Sequence, residues 1–185
     1  MKIKFKKFWN FIWHDDSLLS LLVSAILIII IGKFIIYPIL GAILGTSLPI
    51  VAVVSNSMDH NVDFEEWWSL NSEYYEKIGI EKSEFKTYSL KEGFNKGDVI
   101  ILRGIAFNEI EKGDVVVFQS KGHEPIIHRV IEKSTNSIGT KGDNNNYQLT
   151  FEKYIYSEEI IGKAVAKVPL VGWVKVLFME AIGQI

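Results

Sequence analysis

Two serines and one histidine are the side chains best placed for chemistry in this 185-residue chain. Ser55 and Ser57 stand in Val53-Val54-Ser55-Asn56-Ser57-Met58, directly after the longest apolar run. A serine hydroxyl is a poor nucleophile at neutral pH and attacks a carbonyl only when a base takes its proton. Four histidines could supply that base. His14 lies on the far side of the apolar run from Ser57, and His60 and His123 sit in polar segments read as loops. His128 alone lies in alternating apolar sequence, Ile126-Ile127-His128-Arg129-Val130-Ile131. A histidine in such a strand is more often structural than catalytic, so these residues alone leave a Ser57–His128 pair a minority reading. A metal site at His60, His123 and His128 is weaker still, because their spacing matches no compact ligand pattern. With no cysteine the chain forms neither disulfides nor thiolates.

The elements that must position these groups begin with a membrane anchor. Residues 2–13 place Phe5, Phe8, Trp9 and Ile12 at helical spacing, which reads as a short interfacial helix ahead of the span. Leu18 to Tyr37 carries Lys33 as its one charge, and twenty residues at ~1.5 Å rise match a hydrocarbon core of ~30 Å. In this register Lys33 lies one turn from the far end and snorkels outward. Four lysines precede the span, and no lysine or arginine falls between Gly41 and Lys77, which predicts a cytoplasmic N-terminus and an extracytoplasmic body. A cleavable secretory signal ending near residue 47 is the lesser alternative, since the apolar run exceeds a usual signal core. Pro38, Gly41, Gly45 and Pro49 are expected to interrupt the helix.

Beyond the anchor, residues 48–54 read as a first strand. Residues 59–92 interrupt the β-like sequence with Phe64, Trp67, Trp68 and Tyr75 near helical spacing, so one or two short helices are expected, packed on the body through these aromatics. Val99–Leu102, Val115–Phe118, Pro125–Ile131, Ser137–Thr140 and Ile160–Val168 read as further strands. Lys-Gly-Asp precedes the first two of these, and Asp98 and Asp114 are read as turn residues. The fold expected is mainly β: an antiparallel β catalytic domain with an N-terminal transmembrane helix and a short helical insert. Its parts are a cytoplasmic segment over 1–16, an anchor over 17–45, the β domain over 46–168 with its insert at 59–92, and an apolar tail over 169–185. That tail is too short and interrupted for a confident second span and reads as interfacial or core-packing.

Formal charge is −2, with +2 in residues 1–16 and −4 in the rest, so the main body lacks the basic face that nucleic acid binding needs. Ser55-Asn56-Ser57-Met58 after an N-terminal span, Gly-Asp-Val strands, His128-Arg129-Val130-Ile131 and Thr140-Lys141-Gly142-Asp143-Asn144-Asn145 together resemble the archaeal and endoplasmic-reticulum type of signal peptidase I. The resemblance implies a membrane-bound serine endopeptidase that cleaves signal peptides from exported preproteins. It makes Ser57 the nucleophile, His128 the general base in place of the bacterial lysine, and Asp143 the carboxylate that supports the histidine. Ser55 and the Ser57 backbone N–H would form the oxyanion hole. No metal or cofactor is implied; preproteins, the lipid bilayer and the secretory translocon are the partners. Two departures stand out: Asp59-His60 replaces an expected proline, and Asn146-Tyr147-Gln148-Leu149 falls where many members carry a second aspartate. Asp143 acting alone, Glu152 acting as substitute and a Ser–His dyad therefore all remain open. The missing aspartate and the insert motivate a second hypothesis, a non-catalytic membrane-anchored β domain. A cytosolic self-cleaving repressor relative is disfavoured, because such proteins pair serine with lysine and lack the span.

Overall fold

The computed structural model describes residues 2–120, 122 and 124–183, with the side chains of residues 2–5 and 8 outside that description. His123, the side chains of Phe5 and Phe8, and residues 184–185 of the apolar tail thus fall outside the described residues. The chain divides into two units, residues 1–43 and 44–185.

The first unit is helical. Helix α1 (Lys2–His14) is followed by Asp15, whose carboxylate accepts the Ser17 N–H, and by Ser17, which caps the next helix by accepting from the Ser20 N–H. Helix α2 (Leu18–Ile31) packs on α1 through Ser20, whose hydroxyl donates to the Phe11 carbonyl. A π turn (Gly32–Ile36) then joins α2 to α3 (Tyr37–Leu44). The expected break at Pro38 and Gly41 does not occur. Proline has no N–H and its ring crowds the carbonyl four residues back; widening the turn, with Tyr37 N–H bonded to Gly32 O, absorbs both and lets the helix continue. Leu18–Leu44 is one helical stretch of 27 residues, apolar and long enough to cross a membrane.

The second unit carries the sheet. Seven strands form one antiparallel array in the order β1-β2-β7-β3-β4-β5-β6. They are β1 (Ile50–Ala52), β2 (Val99–Arg103), β3 (Val115–Phe118), β4 (Ile126–Lys133), β5 (Ser137–Lys141), β6 (Ile155–Tyr156) and β7 (Ile160–Val168). The mainly β fold read from the sequence is the one observed, with β6 the strand that reading missed. The turns before β2 and β3 are built as expected. Gly97 and Gly113 adopt φ of 91° and 93°, open to glycine at little cost, while Asp98 and Asp114 accept from the Asn95 and Glu111 N–H groups.

Alternation along the strands sorts the core. Val116, Phe118 and Val130 pack on one face with Ile110, Ile138 and Ile155. Val115 and Val117 lie on the other with Val53, Met58, Phe94, Ile100 and Leu102. The insert forms helices α4 (Phe64–Lys77) and α5 (Lys82–Phe85), whose Phe64, Trp67, Trp68, Tyr75 and Phe85 make an aromatic cluster against Ile131 of β4. Its aromatics are therefore packing residues, each removing ~150–250 Å² from water. Helix α6 (Trp173–Ala181) follows the sheet, with Val176 buried and Val174, Leu177 and Phe178 exposed.

Candidate active site

His128 and Arg129 are consecutive on β4, so their side chains leave the sheet on opposite faces. Each meets a different carboxylate. On the His128 face, Nδ1 is hydrogen-bonded to Glu152 Oε1, and Nε2 faces Ser57 Oγ at 2.9 Å. Glu152 is fully buried at the end of a short 3₁₀ turn (Thr150–Glu152); it also accepts from Thr140 Oγ1 at 3.2 Å and from the Leu149 N–H at 3.0 Å. An ionised carboxylate accepts only, so Glu152 holds the ring proton on Nδ1 and leaves Nε2 free to accept from the Ser57 hydroxyl. Ser57 is half-buried, and Ser55 Oγ lies 3.2 Å from Ser57 Oγ on the exposed side.

The segment bearing Ser57 is tied to the loop after β5. The Asn144 N–H donates to the Ser57 carbonyl at 2.8 Å, Asn144 Nδ2 to the Asn56 carbonyl at 3.0 Å, and the Asp143 N–H to Met58 Sδ at 3.3 Å. Gly142 lies inside this junction. A Cβ there would stand 2.7 Å from the Ser57 carbonyl oxygen and 2.8 Å from His128 Nε2, closer than real side chains approach. Gly142→Ala is therefore expected to push the Ser57 and His128 side chains out of register. Displacements on the order of 1 Å cost about 10²-fold in rate, so substrate turnover should fall by about that factor. A pre-steady-state cleavage assay, paired with a melting curve to show retained fold, checks it.

On the opposite face, Asp143 is fully buried and meets Arg129, not His128. Its carboxylate accepts from Arg129 Nε at 2.9 Å and Nη2 at 2.7 Å, from Tyr75 Oη at 3.2 Å and from His60 Nε2 at 3.1 Å. Arg129 sends its other N–H groups to the carbonyls of Ser89, Leu90 and Gly113, so all five donors are used. Burial alone would raise the Asp143 carboxyl, but Arg129 and the His60 hydrogen bond hold it well below the usual carboxylate range. Burial opposes charge on Arg129 as well, and Asp143 more than offsets it. The carboxylate supporting His128 in this structure is Glu152, and Asp143 instead binds the insert to the sheet. Strand alternation gives the reason, since the Arg129 face is the insert's face.

His60 lies in a loop, as read, but not on a polar surface. It is buried, stacked on Trp67 with ring centroids 3.9 Å apart. Its position beside the aromatic stripe of α4 was the available signal. Glu152 was legible as the first carboxylate after Asp143, and the turn that brings it back to His128 was not. Among the described residues, His60 and His128 make separate contacts on separate carboxylates, with no shared site.

Comparison with known proteins bears on part of the chain, and the family match leaves out Ser57. Residues 84–165, less than half of the chain but including His128, Asp143 and Glu152, match a family described as Peptidase S24-like. The chain is also similar to curated proteins named signal peptidase complex catalytic subunit SEC11. It is 36 % identical over 104 residues to those of Metarhizium robertsii and Colletotrichum graminicola, and 38 % identical over 104 residues to that of Fusarium vanettenii. Each match covers 50 % of this chain and 60 % of the relative, so the chain spans under two thirds of the length of the proteins it matches. Over that shared half, the chain is similar in sequence to signal peptidase complex catalytic subunits.

Proposed function

We propose that this chain is a membrane-tethered serine endopeptidase that removes N-terminal signal peptides from exported preproteins. The observation that carries the reading is Ser57 Oγ at 2.9 Å from His128 Nε2, with the ring's other nitrogen on buried Glu152. Similarity to signal peptidase catalytic subunits supports a signal peptide as the substrate.

Each atom then has a role. Ser57 Oγ attacks the scissile carbonyl carbon while His128 Nε2 takes its proton, and Glu152 stabilises the imidazolium that results. The negative charge gathers on the former carbonyl oxygen, where the Ser55 hydroxyl and the Ser57 N–H are the donors assigned to it; one such donor is worth on the order of 10²–10³ in rate. The tetrahedral intermediate collapses, the C–N bond breaks, and His128 returns the proton to the departing amine. Water, deprotonated by His128 in turn, hydrolyses the Ser57 ester and frees the signal peptide's carboxylate.

Leu18–Leu44 supports membrane attachment by length and apolarity. With lysines ahead of it, the chain is read as single-pass in the cell membrane, N-terminus cytoplasmic and catalytic domain outside. A signal peptide's own apolar core sits in the bilayer, so tethering raises the effective concentration of its cleavage site near the enzyme. The bilayer and the secretory translocon are the partners this placement implies.

The test uses the full chain in detergent micelles with a purified preprotein. Cleavage after small residues at the −1 and −3 positions, read by N-terminal sequencing of the product, is expected. An uncleaved preprotein under conditions where a control signal peptidase works would overturn the proposal.

A further inference from the structure

Lys141 is a buried charge for which the mechanism above has no use. It ends β5 directly across from Arg129, so its side chain enters the face on which the insert packs. Only 1 % of it is exposed. Its ammonium lies 4.8 Å from the ring centroids of both Tyr74 and Tyr75 on α4, within cation–π range. Its nitrogen donates to the carbonyls of Gly142 at 3.0 Å and Asp143 at 3.4 Å, and to Tyr75 Oη at 3.4 Å. Those carbonyls belong to the loop that passes Gly142 between Ser57 and His128 and delivers the Asn144 N–H to the Ser57 carbonyl.

We infer that Lys141 is a positioning residue of the active site, an ammonium held by two tyrosine rings of the insert that pulls the Gly142–Asn144 loop into the place Ser57 and His128 require. The insert is then a brace for the catalytic loop. This inference rests on the Ser57–His128 reading for its effect on rate, but not for its effect on the loop.

The geometry gives Lys141 a pH signature. Asp143 and Glu152 favour its charge; Arg129 across the strand pair opposes it, and Tyr74 and Tyr75 present their ring faces. Glu73 and Lys77 of α4 line the cleft beside it. Burial outweighs the two carboxylates and brings the amine down to about 8. Above that pH the amine is neutral, with two N–H donors in place of three and no charge to assist them. The sign for stability is opposite: a lowered lysine pKa means that burying the ammonium costs stability below about pH 8, and this cost is relieved as pH rises. Turnover therefore falls across this window while the Lys141 contribution to stability does not.

The test follows wild type, Lys141→Arg and Lys141→Met, full chain in micelles, from about pH 6 to about pH 10. Preprotein kcat of wild type should fall about tenfold across pH 8 with KM within about twofold; Lys141→Arg should carry its plateau at least one pH unit higher, and Lys141→Met should be low throughout. Glycine labelled with ¹³C at Cα reads the loop without activity: the Gly142 signal, assigned with Gly142→Ala, should move through about pH 8 in wild type and stay fixed in Lys141→Arg. A Gly142 signal that moves with no cleavage at any pH overturns the peptidase reading and leaves the brace standing. A static wild-type Gly142 signal, an alkaline limb unchanged in Lys141→Arg, or a fall in rate that parallels a fall in melting temperature overturns the brace. If either variant fails to fold, the coincidence of the wild-type rate and Gly142 titrations decides alone.

Discussion

Ser57→Ala is expected to lower the preprotein processing rate by about 10⁶-fold, and His128→Ala by about the same factor. The reason is that, in the proposed mechanism, the two act as one unit. Alanine at 57 removes the atom that forms the ester. Alanine at 128 leaves the hydroxyl 2.9 Å from nothing that can take its proton. Once either is gone, the other has no step to perform, so the double variant should be no slower than the single ones. Residual processing, about 10³–10⁴ above the uncatalysed reaction, would come from binding and oxyanion donors. Single-turnover cleavage of a preprotein by all three variants, with melting curves to show that each keeps its fold, gives the numbers. Ser57 is half-buried and loses one atom, so its truncation leaves no large cavity, whereas His128 is buried on Glu152 and its melting curve is expected to fall. Equal processing by wild type and Ser57→Ala would remove Ser57 from the mechanism. Multiplicative losses in the double variant would mean that serine and histidine work on separate steps.

The Ser57–His128 pair was legible because four short boxes held their order along the chain, a property that linear sequence preserves. Its third member was not, because Glu152 reaches His128 only through a 3₁₀ turn that folds residues 149–152 back beneath β5, closed by the Leu149 N–H on the same carboxylate. No periodicity marks so short a turn. Asp143 was read toward His128 from its box, but the face on which its side chain lies depends on how the loop leaves β5, and that is decided by packing against Arg129 and the insert. The strands over Val99–Arg103 and Val115–Phe118 were visible because Lys-Gly-Asp turns punctuate them. Two-residue β6 offers no alternation to see. Pro38 was read as a helix end, and a π turn carried the helix past it.

The insert gains a role from the same division of faces. Its aromatic stripe was readable as a packing surface, but what it packs against includes two charges, Arg129 and Lys141, from adjacent strands of the sheet. Arg129 lies 4.8 Å from the Phe85 ring and Lys141 the same distance from Tyr75. Aromatic faces accept cations that a purely aliphatic insert would leave unsolvated. A stripe of Phe, Trp and Tyr in place of Leu and Val is what this charged sheet face requires.

The two carboxylates separate cleanly by experiment, because in the proposed mechanism one orients the His128 ring, whereas the other balances a buried cation. Glu152→Gln is expected to lower kcat by about 10⁴-fold with a smaller drop in melting temperature than Asp143→Asn. Glutamine keeps the shape but offers one acceptor end and one donor end. If its carbonyl faces His128 Nδ1, its amide meets the Leu149 N–H, donor against donor. If it turns over to satisfy Leu149, its amide faces Nδ1 and drives the ring proton to Nε2, the tautomer that cannot accept from Ser57. Asp143→Asn acts on the other face. It leaves the Arg129 guanidinium fully buried with no counter-charge, and breaking such a pair costs about 3–5 kcal/mol. Melting temperature should drop on the order of 10 °C, while the folded fraction keeps kcat within about tenfold of wild type. The acid limb of stability follows with it. Asp143 holds its proton less tightly folded than unfolded, so its contribution is complete above the ordinary carboxylate range and is lost as pH falls through the lower folded value. That loss should be present in wild type and absent in Asp143→Asn. Should Asp143→Asn instead take kcat down about 10⁴-fold at unchanged melting temperature, with Glu152→Gln mild, the assignment of the two carboxylates is reversed.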